Sequence, residues 1–297
     1  MQTSEDIVEN LNTIFLIGIA IFIVSILLWW LIVTTEGVYL GRNVVIWLYD
    51  FYAQRYDTIK NTQLDYELAF TAQPIIDRLP IADPLVLDVA SGTGRLPEVL
   101  LRHDEFAGQI IAVDLSRAML IVAAQKLKPA MEQGHVYLLN SPAEKIPLPD
   151  NSVDVVTCLE ALEFMMNDRV VLSELVRVLR PNGLLVITNR QGRDRYLMLG
   201  KVRSHAQFRQ LLEKEFDLKI EHVNSSWSDI YALFIARKNG ISDPIGTKEA
   251  LWHILRCPKC EANALQPKSG YAIPTWECKH CGHLIQQAFD GIIDLGL

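Results

Sequence analysis

The sequence predicts an α/β chain: a doubly wound parallel sheet, with one long apolar helix before it and a small cysteine-paired module after it. Three observations predict this. Strand-like apolar runs alternate with helical segments between residues 86 and 188. Residues 14–33 carry no charge. Four of the five cysteines stand in two CxxC pairs near the C-terminus.

The apolar run comes first. Its 20 residues, at about 1.5 Å each, span about 30 Å, the thickness of a bilayer core. Trp29 and Trp30 lie near its end, where indoles favour the interface. No basic segment precedes it and no small-residue cleavage site follows, so it reads as an uncleaved anchor and not a signal peptide. It is apolar on every face, which argues against a buried core helix. It also accounts for the positive mean hydropathy of the chain, +0.16. Residues 1–13 hold Glu5, Asp6 and Glu9 but no Lys or Arg, whereas Arg42, Arg55 and Lys60 follow the span. The positive-inside rule therefore puts 1–13 outside and everything after 34 in the cytoplasm, a single-pass membrane protein.

Residues 34–72 are rich in aromatics with polar residues interleaved, and read as juxtamembrane helices. Strand one is the run Val86-Leu-Asp-Val, which enters the turn Ala90-Ser-Gly-Thr-Gly94. A helix follows, with Pro97 near its start, where a missing N–H costs little. Strand two, 110–114, ends in Asp114, twenty residues after Gly94. That spacing lets a carboxylate reach the hydroxyls of a nucleoside ribose. Strands three to five fall at 136–140, 152–158 and 184–188, the last after the Pro181-Asn-Gly turn. Two details separate this turn from a dinucleotide site. Proline stands at 97, where a third glycine would fall. Asp88 lies inside strand one, where its charge would repel a pyrophosphate but suit a cationic ligand such as the amino group of S-adenosylmethionine.

These residues resemble the class I S-adenosylmethionine-dependent methyltransferases of the ubiquinone and menaquinone C-methyltransferase kind. The likeness runs through Leu87-Asp-Val-Ala-Ser-Gly-Thr-Gly94, Val113-Asp-Leu-Ser116, the block 142–156 and the block 174–183. It implies a Rossmann-like seven-stranded sheet over 73–239, closed by an antiparallel pair at 216–223 and 230–238. It implies cofactor contacts from Asp88, Ala90, Ser91, Gly92, Gly94, Asp114, Leu115, Ala143 and Glu144. A helical segment with a Tyr-Asp pair lids the cofactor in that family; Tyr49-Asp50 and Tyr56-Asp57 both fit, and Tyr56 is the residue chosen for the cleft. Glu160, just past strand four, is the candidate for catalytic or other polar work. Two residues depart from the pattern. Pro142 replaces an acid that accepts a hydrogen bond from adenine, which shifts that role to the backbone near Ala143. Phe164 replaces a frequent histidine, which removes the first candidate for a catalytic base.

Cys257-Pro-Lys-Cys260 and Cys278-Lys-His-Cys281 are separated by seventeen residues, the spacing of a four-thiolate structural zinc site. Residues 251–297 have too small a core to hold without such a staple. Cytoplasmic placement disfavours two disulfides. His280 and His283 are surplus to a closed site, and Cys158 reads as a core thiol. The module resembles the zinc-ribbon activators of tRNA, rRNA and protein methyltransferases, joined here through a linker at 240–250.

The net charge of −7 and pI near 5.5 argue against nucleic acid as a partner. A local exception runs from Arg190 to Arg209, with six Lys or Arg against Asp194 alone. It fits either a solvated surface or a patch facing anionic headgroups. Three functions follow: methylation of a lipophilic small molecule at the membrane, methylation of RNA or protein with the ribbon as docking module, or a non-catalytic membrane scaffold. The oligomeric state is left open by the sequence.

Overall fold

A computed structural model of the chain describes residues 4–60, 63–247 and 251–295. Helix α1 (Ser4–Trp29) runs on as a π-helical turn to Thr34. Its stretch Asn10–Thr34 is long and apolar enough to cross a membrane. The predicted span 14–33 lies inside it, and the polar first turns extend the same helix toward the N-terminus. Residues 1–3 of the predicted extracytoplasmic segment lie outside the described residues. Short helices follow: α2 (Arg42–Tyr52), α3 (Tyr56–Ile59), α4 (Leu64–Glu67) and α5 (Gln73–Ile76).

The α/β unit begins with β1 (Leu85–Val89), α6 (Arg95–Leu101), β2 (Gln109–Asp114), α7 (Arg117–Glu132) and β3 (Val136–Asn140). It continues with β4 (Val153–Cys158), α8 (Asp168–Val178), β5 (Leu179–Arg190) and α9 (His205–Gln210). The pair β6 (Leu218–Asn224) and β7 (Tyr231–Lys238) completes it. Strands one to five are parallel, and β7 lies antiparallel between β5 and β6. Both sheet faces are apolar because helices cover both, so β1 and β4 are buried at every residue.

The C-terminal module holds α10 (Leu251–Ile254) and four short strands: β8 (Leu265–Pro267), β9 (Thr275–Cys278), β10 (Leu284–Gln287) and β11 (Ile292–Asp294). Residues 296 and 297 lie outside the described residues. The expectation of a seven-stranded sheet needs correction here. Strand β11 pairs in parallel with β3, Ile292 beside Leu138 and Asp294 beside Asn140. The sheet is therefore eleven-stranded, in the order β6-β7-β5-β4-β1-β2-β3-β11-β10-β9-β8. The reason is the exposed edge that β3 would otherwise present; β11 pairs it. Ile285, Ile293 and Leu295 then join the same apolar core as Leu139 and Val153.

The linker is corrected as well. Asp154 and Arg180 are fully buried and joined at 2.7 Å. Asp154 also accepts N–H bonds from Leu85, Ile245 and Gly246 at 3.0, 2.8 and 2.8 Å. Arg180 donates to the Ser242 carbonyl at 3.2 Å. These bonds stitch residues 240–247 to the sheet; the rest of the predicted linker, 248–250, lies outside the described residues. Strand β5 starts at Leu179, not 184, because the chain crosses Pro181-Asn-Gly as a bulge that shifts the β4 register. Asn182 takes φ 60° there.

Candidate cofactor and acceptor site

The first βα turn bends through left-handed residues: Ala90 (φ 56°), Gly92 (φ 55°) and Gly94 (φ 75°). The two glycines do different work. A Cβ on Gly94 would lie 2.8 Å from Leu127 Cδ1 and 3.2 Å from Ala123 Cβ, so Gly94 lets α7 pack close to the turn. A Cβ on Gly92 would meet nothing within 4 Å. Gly92 instead lines an open cavity beside the turn.

The cavity brings together most of the residues expected to act. Ala90, Gly92, Asp114 and Leu115 line it from β1 and β2. Ala143, Glu144 and Glu160 line it from the loops after β3 and β4, and Tyr56 lines it from α3. Asp88, Ser91 and Gly94 do not line it. Asp88 is buried beneath, accepting a bond from Thr157 Oγ1 at 2.6 Å. Burial pushes its carboxyl up to about 7, against the pull of Thr157.

The Asp114 carboxylate accepts N–H bonds from Gly92 at 2.8 Å and Ser116 at 2.8 Å. These bonds fix its direction at the cavity wall and leave the second lone pairs of its oxygens for a ligand. Ser141 also lines the cavity, and its Oγ is buried without a partner. It stands beside Pro142 and supplies a polar atom where proline has none. The Ser91 Oγ is likewise buried without a partner. Donors and acceptors in this setting suit a nucleoside that completes their bonds.

Glu160 is held more firmly than expected. Arg95 reaches its Oε1 at 2.6 Å and Lys60 its Oε2 at 3.1 Å. Burial alone would raise its pKa, but Arg95 and Lys60 hold it below the usual carboxylate range. Glu160 is therefore an ionised, weakly basic group. It does not cap a full helix: it has φ 52° and precedes a single 3₁₀ turn, Leu162–Phe164. Glu144 is engaged too, by Arg42 of α2. Burial pushes the Tyr56 phenol up to about 12, so it is a hydrogen-bond donor and not a base.

The two Tyr-Asp pairs are used alike. Tyr49 and Tyr56 face the cavity, their rings 6.0 Å apart. Their neighbours pin the helices to α7 and to the glycine turn: Asp50 accepts from Ser116 Oγ at 2.5 Å, and Asp57 accepts from Thr93 and from Lys126 at 2.6 Å. Arg95 adds a third pin through Glu67 at 3.5 Å. Sequence reasoning missed Arg95, Lys60 and Ser141. The first follows Gly94 directly, which was the one local signal available.

Phe164 lines the cavity edge-on to Tyr49 at 5.8 Å and offers no basic nitrogen there. Several cations of the basic run have partners within the chain. Arg190 is buried, bonded to Glu163 at 2.9 Å and to Tyr231 OH at 3.1 Å. Arg203 pairs with Asp168, Arg209 with Glu213 at 3.2 Å, and Lys201 donates to the Met165 carbonyl at 3.1 Å. Burial removes Arg190 from any surface patch, and the others are paired or bonded where they stand; Arg193 and Arg209 stay exposed.

The four sulfurs of Cys257, Cys260, Cys278 and Cys281 lie within 4.8 Å of one another. Each CxxC closes in the same way. Glu261 N–H bonds the Cys257 carbonyl and Gly282 N–H the Cys278 carbonyl, both at 2.8 Å. Both residues have positive φ, 61° and 73°. A zinc–thiolate bond of about 2.3 Å sets tetrahedral sulfur–sulfur edges of roughly 3.8 Å. The pairs Cys257–Cys281 and Cys260–Cys278 stand at 3.6 and 3.5 Å, so the donor set fits such an ion. Neither His280 nor His283 belongs to this cluster. Cys158 is fully buried in the core.

Residues 87–187 match the family model described as "Methyltransferase domain". The match covers about a third of the chain and falls on the segment that carries β1 to β5 and the cavity. The particular relatives are bacterial. The ubiquinone/menaquinone biosynthesis C-methyltransferase UbiE of Stutzerimonas stutzeri is 34% identical over 102 residues, covering 34% of this chain and 40% of that protein. UbiE of Azotobacter vinelandii is 33% identical over 117 residues, with 39% and 46% covered. The chain thus spans less than half the length of these curated relatives. A protein from Methanococcus maripaludis assigned as an S-adenosyl-L-methionine-dependent methyltransferase superposes with a TM-score of 0.53 at 20% identity, covering 65% of this chain and 94% of that one. A chain of the complex between the Haloferax volcanii Trm112 methyltransferase activator and its assigned methyltransferase gives 0.51 at 16% identity, with 65% and 98% covered. At these identities the likeness is one of fold.

Proposed function

We propose that this chain is a membrane-anchored methyltransferase that transfers a methyl group from S-adenosylmethionine to a lipophilic small molecule, of which a quinone is the type the relatives suggest. The observation that carries this reading is the cavity itself. Its inner wall holds Gly92, Asp114 and the unpartnered Ser141, and its outer wall is apolar, with Val45, Ile46, Phe164, Met165 and Met166. One wall suits a nucleoside and the other suits a greasy acceptor. S-adenosylmethionine supplies an electrophilic methyl group on a sulfonium centre.

The residues act by holding and by excluding water. Asp114 and Ser141 hold the nucleoside, and Asp88 favours the cationic end from below. Each carboxylate on the cavity wall already has a donor: Asp114 its two N–H groups, Glu144 Arg42, Glu160 Arg95 and Lys60. None is poised as a strong base, so positioning carries the rate, which suits an in-line displacement. The ribbon takes one structural zinc ion through its four thiolates. It spends strand β11 on the sheet edge of its own chain, and needs no second macromolecule to bury that strand. Helix α1 spans the bilayer once, with the catalytic domain on the cytoplasmic side.

Calorimetry tests the cofactor: heat with S-adenosylmethionine or S-adenosylhomocysteine is expected, and binding of NAD instead would sink the reading. Mass spectrometry of membrane lipids from cells with and without the gene should reveal an acceptor one methyl group heavier in the former. Carbonate extraction tests the anchor and protease protection its side; release into the supernatant, or cleavage from outside intact cells, would overturn the placement.

A further inference from the structure

Helix α2 has two apolar faces. Val45, Ile46 and Tyr49 line the cavity. Trp47 and Phe51 point away from it, 62% and 69% exposed, with their rings stacked 6.2 Å apart. Two large aromatics one turn apart and open to solvent mark a contact surface when they belong to a wider patch. Other large apolar side chains are exposed: Leu40 just before α2, and Tyr196, Leu197 and Leu199 on the loop after β5. Two hydrogen bonds tie that loop to the foot of the apolar helix. Trp30 Nε1 donates to the Leu197 carbonyl at 3.2 Å and Tyr39 OH to the Leu199 carbonyl at 2.7 Å. Trp30 and Tyr39 stack at 5.2 Å. The loop is thus joined to the end of the apolar helix, and α2 begins three residues after Tyr39. Exposed Arg193 stands at the same loop, placed for anionic headgroups.

We infer that α2 and the 196–199 loop lie in the headgroup layer of the bilayer, and that α2 is the wall past which the acceptor enters. The acceptor is then a long-chain membrane lipid, not a water-soluble molecule. One face of α2 touches lipid while the other lines the acceptor half of the cavity, so the tail passes from bilayer to cavity without crossing water. The rigid foot at Trp30 and Tyr39 keeps the domain from swinging on its anchor. This inference rests on the membrane reading of α1.

The test uses the full chain in nanodiscs of phosphatidylcholine and phosphatidylglycerol, brominated at shallow or deep acyl positions. Trp29, Trp30 and Trp47 are the indoles outside the folded core. Shallow bromine should quench the wild-type chain strongly, and Trp47→Phe should lose about a third of that quenching, as one of three interfacial indoles. Circular dichroism confirms that the variant is folded. Equal shallow quenching in wild type and Trp47→Phe, with the chain still resistant to carbonate, would overturn the position of α2 while leaving the anchor intact. No quenching at either depth together with carbonate release would overturn both. As a second arm, Trp47→Ser with Phe51→Ser should speed amide exchange across α2 in nanodiscs while β4 stays protected; equal exchange at α2 before and after substitution counts against the inference.

Discussion

Arg95 Nη2 stands 2.6 Å from Glu160 Oε1, and this bond joins the first residue after the glycine turn to the loop beyond β4. Arg95 also reaches Glu67 on α4, so one guanidinium ties two parts of the site to the helices that cover it. Removing the cation leaves the nearly buried Glu67 without a positive partner and Glu160 with Lys60 alone. Arg95→Met should lower stability by about 3 kcal/mol, the lower end of the cost of breaking a buried pair because the side chain keeps 20% exposure. Thermal denaturation in detergent measures it. A change within experimental error would show that Lys60 alone suffices for Glu160.

Asp88 should make stability depend on pH. Burial raises its carboxyl from 3.8 to about 7, so the folded chain keeps a proton that the unfolded chain releases across that window. Stability therefore falls as pH rises from 3.8 to about 7 and levels off above. Asp88→Asn keeps the shape without the charge. It should flatten this slope and raise stability above neutral pH by about 1–4 kcal/mol. Urea titrations of both proteins across the window decide the matter; parallel slopes would exclude Asp88 as the source.

The two glycines of the turn should fail in different ways. Gly94→Ala forces a Cβ against Leu127 at φ 75° and should destabilise by about 1–3 kcal/mol. Gly92→Ala has open space for its Cβ, so its stability cost should stay near about 1 kcal/mol from the left-handed backbone. That methyl enters the cavity, however, and should weaken S-adenosylmethionine binding about tenfold, or about 1.4 kcal/mol. Melting curves and calorimetry on both variants separate the two effects. Equal losses of binding would mean that Gly92 has no special approach to the ligand.

Metal removal should reach the sheet and not only the ribbon. One zinc per chain is expected. Cys278→Ser should lower it sharply and Cys158→Ser should leave it unchanged. Because β11 pairs with β3, chelation should speed amide exchange at Val136–Asn140 while β4 stays protected. Four cysteines found as disulfides in the chain purified without reductant, with under about a tenth of an equivalent of zinc, would reject both the metal and the cytoplasmic placement.

The sequence by itself determined the apolar helix, the order of strands one to five, the glycine turn, Asp114 at its spacing and the paired CxxC turns. These are local or periodic features. A turn at positive φ favours glycine, a strand buried on both faces favours a mostly apolar run, and a CxxC turn puts two thiolates on one side. The tertiary structure alone decided which charges meet. Lys60 and Glu160 are 100 residues apart, Arg42 and Glu144 102, and β11 lies far along the chain from β3. Such pairs form because the fold brings their elements to one place. A charge that is solvated in an isolated segment must find a partner once it is buried. That partner is set by the packing of whole elements, and no pattern within either segment encodes it.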